Sequence, residues 1–445
     1  MLSRRSYLAG SLRRASRRLR GVALTLFVAV AADSTRGGAQ TDSTWRDHER
    51  ALQAARAAND TVAYRAQLDA VYRRLGATPR IAARFAALAI AARDKAAAAR
   101  WMGAVAAMGA GLDSGLVTQY AALEGQDARA SLLALRASAT SDVGAPELAF
   151  RLPETDMISE DIAYDAARAL FLVSSVRNGC VYAQRSGVDA PAIVRFGGDH
   201  GWGTFALGVD SSRGVLWATS AAVPMTAQFT PADSGHSALL ALDLSSGRPR
   251  GRYVAPDSGA HTLGDITVAR NGAVYVADGL GSGVYALDAG RDSLRVLVPR
   301  GVFSSPQTPA LSADGATLFV PDYSIGIAAV DIATGRVTWI THSDSLALTG
   351  IDGLYRVGHD LIVVQNGLEP NRIARLALDA PMRRVVHATT LVRGPNAVDL
   401  NHAAIVGNWI YFIRRSGWER VSDDGTMRTG ATGDEPTVAR MRLAP

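Results

Sequence analysis

Six short polar stretches after residue 150 contain residue types that could do chemistry. Each stands at the beginning of an apolar run, and together they offer carboxylates, an amide and a histidine. The stretches are Ser159-Glu160-Asp161, Thr204-Phe205, Gly264-Asp265, Pro306-Gln307-Thr308, Ile351-Asp352-Gly353 and Asn401-His402.

These side chains could act together only if the fold brings them to one place. Carboxylate and amide oxygens that converge would suit a hard cation such as calcium. A water-filled channel, in which the acids cap backbone amides, would use the same residues without a metal. Whether these side chains meet depends on the elements that position the six stretches.

A strand pattern that recurs six times shows how such convergence could arise. Its middle strand begins at Leu170, Leu216, Val274, Leu318, Leu361 and Ile410, with spacings of 46, 58, 44, 43 and 49 residues. A second strand can be read before each of these, and a third usually follows. Periods near 45 residues with several strands each are typical of propeller blades. Turns such as "ARNGA" and "SADGA" place Asn, Asp and Gly where a positive φ is needed.

The sequence therefore predicts a mainly β protein, a six-bladed β-propeller over residues 145–445 preceded by a small all-α helical-repeat domain. One twisted antiparallel sheet cannot bury both of its faces, whereas six sheets packed around an axis can. The innermost strand of each blade begins near the central channel, so the six polar stretches should be neighbours. Two segments could close the ring, "ELAFRLP" before the first blade or "TVARMRLAP" at the end.

Residues 43–140 carry a different pattern, rich in alanine, arginine and leucine, with apolar residues at helical spacing. Helix pairs that repeat at about 34 residues are typical of tetratricopeptide arrays, and residues 79–109 resemble one such repeat. The region could present a concave surface to a partner protein. It could equally serve as a cap that packs on the next domain, since two or three repeats make only a small groove.

The first 40 residues are typical of a secretory signal peptide. They hold eight arginines and the apolar core "VALTLFVAVAA", which is too short to span a bilayer, followed by small residues suited to cleavage. "SRRSYLAG" resembles a twin-arginine export signal, which leaves the export route open, and an uncleaved anchor is the alternative. We expect an exported protein, periplasmic or extracellular, with no membrane span after the signal is removed.

The charge and the cysteine content exclude two further classes. The formal net charge is +6, but the basic excess lies in the leader and the rest of the chain is near neutral. Nucleic-acid binding needs a basic patch on the folded domain, so we expect no nucleic-acid partner. Cys180 is the only cysteine, which rules out an intrachain disulfide and a cysteine-based zinc site.

Four longer segments resemble a known family. They are "EDIAYDAARALFLVSSVRNGCVY", "LGDITVARNGAVYVADG", "SPQTPALSADGATLFVPDYSIGIAAVDIATGRV" and "GIDGLYRVGHDLIVVQNGLEPNRIARLALD". They are similar to the gluconolactonase, senescence-marker-protein and luciferin-regenerating-enzyme family, and more closely to an exported bacterial branch of it. The likeness covers roughly residues 153–424.

The resemblance implies a divalent metal at the channel mouth, calcium or alternatively zinc, held by a glutamate, two asparagines and an aspartate. Glu160 matches the glutamate and Asp352 the aspartate. Gln307 stands where one asparagine is usual, and near the position of the other only Asp265 could substitute. The metal would polarise a lactone carbonyl, with Asp352 as the catalytic residue.

Further residues are candidates for contact with a small ligand in the channel. His402 and His200 could act as proton shuttles, because histidine titrates near neutral pH. Asn366 lies in "QNGLEPN", a segment that resembles the exported branch and could line the mouth or fix a tight loop. Trp202 could stack on a ligand at the rim, and Phe205 stands at the beginning of an innermost strand.

Two hypotheses about function follow. The first is an exported propeller that binds a small ligand, with a metal-dependent lactone or ester hydrolase as its enzymatic form. The second is a non-catalytic module that presents the helices and the propeller to a protein or a cell-envelope glycan, favoured by the substituted positions Gln307 and Gly264. A phosphate-binding glycine loop, a Gly-x-Ser-x-Gly elbow and a His-Glu-x-x-His motif are all missing from the sequence.

Overall fold

The computed structural model describes residues 45–152, 154, 156–185, 192–197, 201–422, 424–428 and 435–443. The predicted leader, residues 1–40, and His200 lie outside these residues. Within them, six α-helices precede the propeller strands: α1 (Trp45–Ala57), α2 (Thr61–Leu75), α3 (Pro79–Ala91), α4 (Lys95–Ala107), α5 (Ser114–Glu124) and α6 (Gln126–Ala139). Measured over this part of the chain, no helix has both the length and the apolar character needed to cross a membrane.

Side-chain caps set the beginnings of these helices. Asp60, Asp94 and Asp113 precede α2, α4 and α5, and each carboxylate accepts a hydrogen bond from a backbone N–H of the first turn. Helices α1, α3 and α5 begin about 34 residues apart. The kinship with tetratricopeptide repeats remains a prediction.

The described strands form six four-stranded antiparallel sheets, which confirms the six-bladed propeller. Blade 1 comprises β2 (Ser159–Asp165), β3 (Leu170–Ser175), β4 (Cys180–Arg185) and β5 (Ala192–Gly197), and blade 2 comprises β6 (Gly203–Asp210), β7 (Val215–Ala221), β8 (Ser237–Asp243) and β9 (Pro249–Tyr253). Blade 3 comprises β10 (Leu263–Val268), β11 (Val274–Asp278), β12 (Val284–Leu287) and β13 (Arg295–Val298). Blade 4 comprises β14 (Ala310–Leu311), β15 (Thr317–Asp322), β16 (Gly326–Asp331) and β17 (Val337–Trp339), and blade 5 comprises β18 (Ile351–Val357), β19 (Asp360–Gln365), β20 (Arg372–Leu378) and β21 (Val385–Arg393).

Both of the segments that the sequence left open close the sixth blade. Its strand order is β22 (Ala403–Val406), β23 (Trp409–Arg415), β24 (Thr437–Arg442) and β1 (Glu147–Arg151). The final strand β24 is therefore the third strand, and β1 adds the outer edge with Glu147 opposite Arg440. The first and last strands of the propeller are joined by backbone hydrogen bonds, so the ring has no open seam.

Four innermost strands carry a β-bulge close to the channel. The pairing shifts by one residue between Ser159 and Ile162 in β2, between Thr204 and Leu207 in β6, and likewise near the beginnings of β10 and β18. A bulge places two residues opposite one and re-aims a side chain. The residues in or beside these bulges include Glu160, Asp161, Asp265 and Asp352, which are the acids of the predicted ring.

The helices pack on the edge of the propeller where the innermost strands begin. The indole N–H of Trp45 donates to Val302 O at 3.0 Å, and the Tyr72 hydroxyl donates to Asp344 Oδ1 at 2.9 Å. The helical core also takes in three buried side chains from connections at this edge, Ile325, Ala347 and Leu368. The helices therefore lie on the mouth side of blades 3 to 5, and a separate domain bounded at residues 43–140 remains a prediction.

Candidate active site

His402 lies at the centre of the charged residues that line the channel. Its side chain is 1% exposed, and Nδ1 is 3.4 Å from Asp161 Oδ1 while Nε2 is 3.4 Å from Asp265 Oδ1 and 3.7 Å from Asp352 Oδ1. Neither ring nitrogen makes a well-formed hydrogen bond with any described residue. The ring is thus surrounded by carboxylates from blades 1, 3 and 5, and we call these four residues the acid–histidine cluster.

Asp161 is fixed by the bulge in β2. Its backbone N–H donates to the Ser174 hydroxyl at 2.9 Å, and its carboxylate accepts the N–H groups of Ile162 and Leu207, each at 2.7 Å. The N–H of Leu207 belongs to β6, so Asp161 also connects blade 1 to blade 2. Its Oδ1 still faces the imidazole of His402.

Asp265 has a strongly perturbed acidity. Burial raises the pKa of this carboxyl to about 7, with smaller contributions from Asp352 and Glu160, while His402 and a hydrogen bond from Thr308 act in the opposite direction. The Thr308 hydroxyl donates to Asp265 Oδ1 at 2.7 Å. A carboxyl with this pKa holds a proton for part of the time at neutral pH and can both accept and give one.

Asp352 is held by a small amide and hydroxyl network. The Asn366 side-chain amide donates to Asp352 Oδ2 and, at 3.0 Å, to the backbone oxygen of Leu400. The Tyr323 hydroxyl donates to Asn366 Oδ1 at 3.0 Å. The structure therefore brings Asn366 into contact with the predicted catalytic aspartate.

The acidity of His402 follows from the same surroundings. Burial lowers the pKa of the imidazole, but Tyr355, Asp265, Asp161 and Asp352 raise it by more, so that it lies well above its ordinary value. Burial also raises the pKa of Tyr355, which stays neutral near pH 7. The carboxylates therefore supply the negative charge that stabilises an imidazolium.

Two of the predicted metal ligands, Glu160 and Gln307, form hydrogen bonds with neighbouring side chains. Glu160 Oε2 accepts hydrogen bonds from the Asn401 amide, at 2.7 Å, and from the Trp418 indole. The amide nitrogen of Gln307 donates to the Ser305 hydroxyl at 2.8 Å. Both side chains are thus hydrogen-bonded to neighbouring residues.

The donor set as arranged does not fit a divalent metal. Across the described residues no group of three or more His, Cys, Asp or Glu side chains is placed to hold a metal ion. His402 Nε2 lies 3.4 Å from Asp265 Oδ1 and 3.7 Å from Asp352 Oδ1, so the imidazole stands beside both of these predicted ligands. The set of Glu160, Gln307, Asp265 and Asp352 stays a prediction from the family resemblance.

The aromatic candidates pack into the wall of the mouth. Trp202 is 5% exposed, with its ring centroid 5.9 Å from that of His236 and 5.8 Å from the Arg252 guanidinium carbon. Phe205 is 7% exposed and packs in a cluster with Ile158, Val176, Ala221, Val223, Met225 and Val421. Neither ring projects into open solvent, so contact with a ligand would require it to approach their edges.

Sequence reasoning did not assign roles to Asp161, Thr308 or Tyr355. The Tyr355 hydroxyl accepts the N–H of Ala403 at 2.7 Å, and a Cβ on Gly353 would lie only 2.8 Å from that hydroxyl. Residues two apart in a strand share a face, so glycine at 353 leaves the room that this tyrosine fills. The Gly-x-Tyr spacing in "IDGLY" is the sequence feature that could have indicated the role of this tyrosine.

Known structures with a similar shape include enzymes of several kinds. An aldose sugar dehydrogenase from Streptomyces coelicolor in its PQQ-bound form covers 68% of this chain and 99% of its own, with 12% identity and a TM-score of 0.46. A gluconolactonase from Xanthomonas campestris covers 68% of this chain and 97% of its own, with 15% identity and a TM-score of 0.45. The match to a luciferin-regenerating enzyme covers 66% of this chain and 95% of that protein's chain, with 12% identity and a TM-score of 0.45.

Other comparisons add no closer relative. The chain matches no protein-family model and none of the curated proteins. Similarity to these solved structures concerns the arrangement of the chain and leaves its ligand and reaction to be argued from its own residues.

Proposed function

We propose that this protein binds a small hydroxyl-bearing ligand at the mouth of its central channel and, as an enzyme, hydrolyses a lactone or ester bond there. The single observation that supports the proposal is the acid–histidine cluster. Four titratable groups from four blades meet inside the channel, and perturbed ionisable groups of this kind gather at functional sites. The side chains of Asp265 and Asp352 are 8% and 7% exposed, so only a small part of each carboxyl could contact a water or a ligand hydroxyl.

The cluster has the groups that hydrolysis without a covalent intermediate requires. The carboxylate of Asp352 accepts a proton from a water molecule, whose oxygen forms a bond to the carbonyl carbon. The bond from that carbon to the ester oxygen then breaks, and the leaving oxygen takes a proton from Asp265. The proton on Asp352 afterwards replaces the one that Asp265 gave, and His402 keeps a positive charge beside both acids. General acid and base groups with a pKa near the working pH contribute about 10²–10⁴-fold to rate.

Turnover of a panel of five- and six-membered sugar lactones and aryl esters tests this proposal. We expect Asp352→Asn to lower kcat/KM by about 10²-fold or more, because the amide cannot accept the proton. Asp265→Asn should abolish the basic limb of the pH profile, because the loss of the proton from this carboxyl is what produces that limb. Asp314→Asn, in an exposed turn of blade 4, is the matched control and should leave turnover unchanged.

Two outcomes would overturn the assignment. Hydrolysis that survives Asp352→Asn would show that the base lies elsewhere, and a wild-type protein that neither binds nor turns over any lactone, ester or polyol would remove the proposed ligand class. Elemental analysis of the purified protein, with activity measured before and after treatment with a chelator, tests the calcium or zinc prediction separately.

We also propose that the protein is exported to the periplasm or beyond. The proposal rests on the arginine-rich, apolar and small-residue order of the first 40 residues. Mass spectrometry of the mature N-terminus in a cell-envelope fraction should show loss of this segment. A full-length N-terminus recovered only from the cytosol would contradict it.

A groove on the helices favours the second candidate function, binding of a partner protein. A cavity of about 430 Å³ is lined by residues that include Arg65, Arg100, Phe85 and Trp101. The two aromatic rings stack with centroids 4.6 Å apart, and each carries an arginine over its face. Capture of one defined cell-envelope protein by the wild type, lost in Arg65→Glu, would support this function, and equal capture by both would count against it.

A further inference from the structure

A second polar cavity lies between the helices and blade 5, and none of the four residues of the acid–histidine cluster lines it. Its volume is about 380 Å³, and it is enclosed by the ends of α4 and α6, the connection that follows β17, and strands β19 to β21. The charged or polar side chains on its wall include Arg372, Arg384, Arg393, Ser343, Ser345 and Thr390. None of the described residues that line it is acidic.

Two of these arginines are placed directly opposite each other. Arg372 at the beginning of β20 pairs with Arg393 at the end of β21, and both are 8% exposed. Like charges at directly opposed positions destabilise a sheet, and buried charges are ordinarily paired with a charge of opposite sign. Within the described part of the chain neither guanidinium forms an ion pair with a carboxylate, and Asp142 acts on Arg393 only from a greater distance.

Neutral acceptors satisfy one side of each guanidinium. Arg372 donates through Nε to Gln365 Oε1 at 2.6 Å and through Nη1 to Met108 O at 3.1 Å. Arg393 donates through Nε and Nη2 to the backbone oxygens of Ser141 and Ser138. The Met108 carbonyl directly follows α4, and those of Ser138 and Ser141 lie in and just after the last turn of α6. A helix C-terminus carries only a partial negative charge. Each of the two positive charges is therefore offset only in part.

The other side of each guanidinium faces the cavity. Nη2 of Arg372 and Nη1 of Arg393 make no hydrogen bond to a described residue, and neither atom is fully enclosed by protein. Burial and the neighbouring Arg393 together lower the pKa of Arg372 to about 10, which is the expected response of a cation that lacks a counter-charge. A bound oxyanion would provide one.

We propose that this cavity is a binding site for an oxyanion, the phosphate or carboxylate group of a small molecule. Guanidinium groups bind phosphate and carboxylate through parallel N–H donors. Two guanidinium groups on neighbouring strands can therefore donate hydrogen bonds to the same anion. Arg384 adds a third positive charge at the rim, with hydroxyl donors from Ser343 and Ser345. The volume lies within the range of small-molecule sites, about 300–1,000 Å³.

Calorimetry and thermal unfolding of the full-length protein in low-salt buffer test the site. Inorganic phosphate and citrate are the separate probes, and sodium chloride at matched ionic strength is the blank. We expect one or both probes to bind and to raise the Tm beyond the chloride blank. Binding of phosphate but not citrate would assign the site to a phosphate group, and the reverse would assign it to a carboxylate.

Variants locate the binding. Arg393→Gln should weaken binding of the probe at least about tenfold, since hydrogen bonds from a charged donor to an anion are roughly twice as strong as those between neutral groups. If that variant folds poorly, Arg384→Gln, at an exposed position, should weaken it by a smaller factor. Arg336→Gln, an exposed arginine of blade 4, and Asp352→Asn should leave it unchanged. Absence of binding by either probe up to tens of millimolar, or binding that neither arginine variant affects, would overturn the site.

Discussion

The charge state of His402 depends on its three carboxylate neighbours, since the ring is almost completely removed from solvent. An isolated buried imidazole would lose its proton, whereas this one retains it because the pKa lies well above its ordinary value. Asp265 shifts in the same direction, to about 7 from a reference of 3.8. Folding therefore takes up protons at both residues over the neutral range of pH.

Stability should fall as the pH rises from 5 to 8. Asp265 is protonated in the folded protein at pH values where its unfolded counterpart is ionised, so its contribution is lost as the pH rises from about 3.8 through about 7. The contribution of His402 is complete below its unfolded pKa and is lost only as the pH rises through its higher folded pKa. Urea unfolding at pH 5, 6.5 and 8 should give a free energy of unfolding that decreases along the series.

A matched variant attributes this dependence to the cluster. Asp265→Asn keeps the shape and can still accept the hydrogen bond from Thr308, but it no longer titrates. The decrease in stability between pH 5 and 8 should be smaller in this variant than in the wild type. The same decrease in both proteins would show that Asp265 has an ordinary acidity.

At the residue scale the sequence predicted which stretches meet, but not which side chain of each stretch faces the centre. The expectation paired Glu160 with Asp352 and Asp265. The structure adds Asp161 against His402, and Glu160, which accepts hydrogen bonds from Asn401 and Trp418, contributes to the raised pKa of Asp265. A bulge reverses the alternation of a strand locally, and single-sequence periodicity does not reveal where a bulge falls.

At the element scale, side-chain hydroxyls hold the bulges of neighbouring blades in the same way. Ser174 in β3 accepts the N–H of Asp161 at 2.9 Å, and Thr219 in β7 accepts the N–H of Ala206 at 2.9 Å. Both hydroxyls are buried, and each also donates to a backbone oxygen of the next blade, that of Phe205 or Gly264. They therefore fix the channel ends of the innermost strands and connect blade to blade.

Thr219→Val should lower the free energy of unfolding by about 1–3 kcal/mol, because the buried N–H of Ala206 and the partly buried carbonyl of Gly264 lose their partner while the volume is kept. Thr389→Val, on the exposed outer strand of blade 5, should change it by less than about 0.5 kcal/mol. Denaturant unfolding of both variants provides the measurement. Equal stability of the two would mean that the hydroxyl of Thr219 is dispensable to the bulge.

Element positions were the part of the fold that the sequence predicted best. The middle strands expected at Leu170, Leu216, Val274, Leu318 and Leu361 all lie in second strands of blades. Their apolar runs and flanking Gly, Asn and Asp turns are local signals, which need no tertiary contact to be read. The order of strands in the last blade depends on a pairing between residues about 290 apart, such as Glu147 and Arg440, and no local pattern specifies it.

At the scale of the whole molecule, closure of the ring depends on one short strand. Phe150 of β1 is 6% exposed, and its ring lies 5.3 Å from that of Phe171 in blade 1. It therefore packs the closing strand into the junction between blades 6 and 1. The neighbouring Leu148, in the same strand, is 48% exposed.

Phe150→Ala should destabilise the protein by about 3–5 kcal/mol, the usual cost of removing a buried phenyl ring from a core. Leu148→Ala keeps the strand and should cost less than about 0.5 kcal/mol. Thermal unfolding distinguishes them, and similar Tm values for both variants would contradict the role given to β1 in closure.

The placement of the helices on the mouth side also could not be predicted from the sequence. It depends on contacts such as Trp45 with Val302 and Tyr72 with Asp344, between residues that no local pattern relates. The sequence left a partner surface and a packed cap as alternatives, and the shared apolar core shows that part of the helical surface packs on the propeller.

Nitrogen-15 NMR of the imidazole side chains tests whether the propeller assembles Asp161, Asp265, Asp352 and His402 into one charged cluster. The pKa of His261 is also raised, by its hydrogen bond to Asp278, so the signals of His402 are identified among those of the eight histidines by their loss in His402→Asn. They should stay doubly protonated at a pH where a histidine of ordinary acidity is neutral. A spectrum in which every histidine has become neutral by that pH would contradict the account.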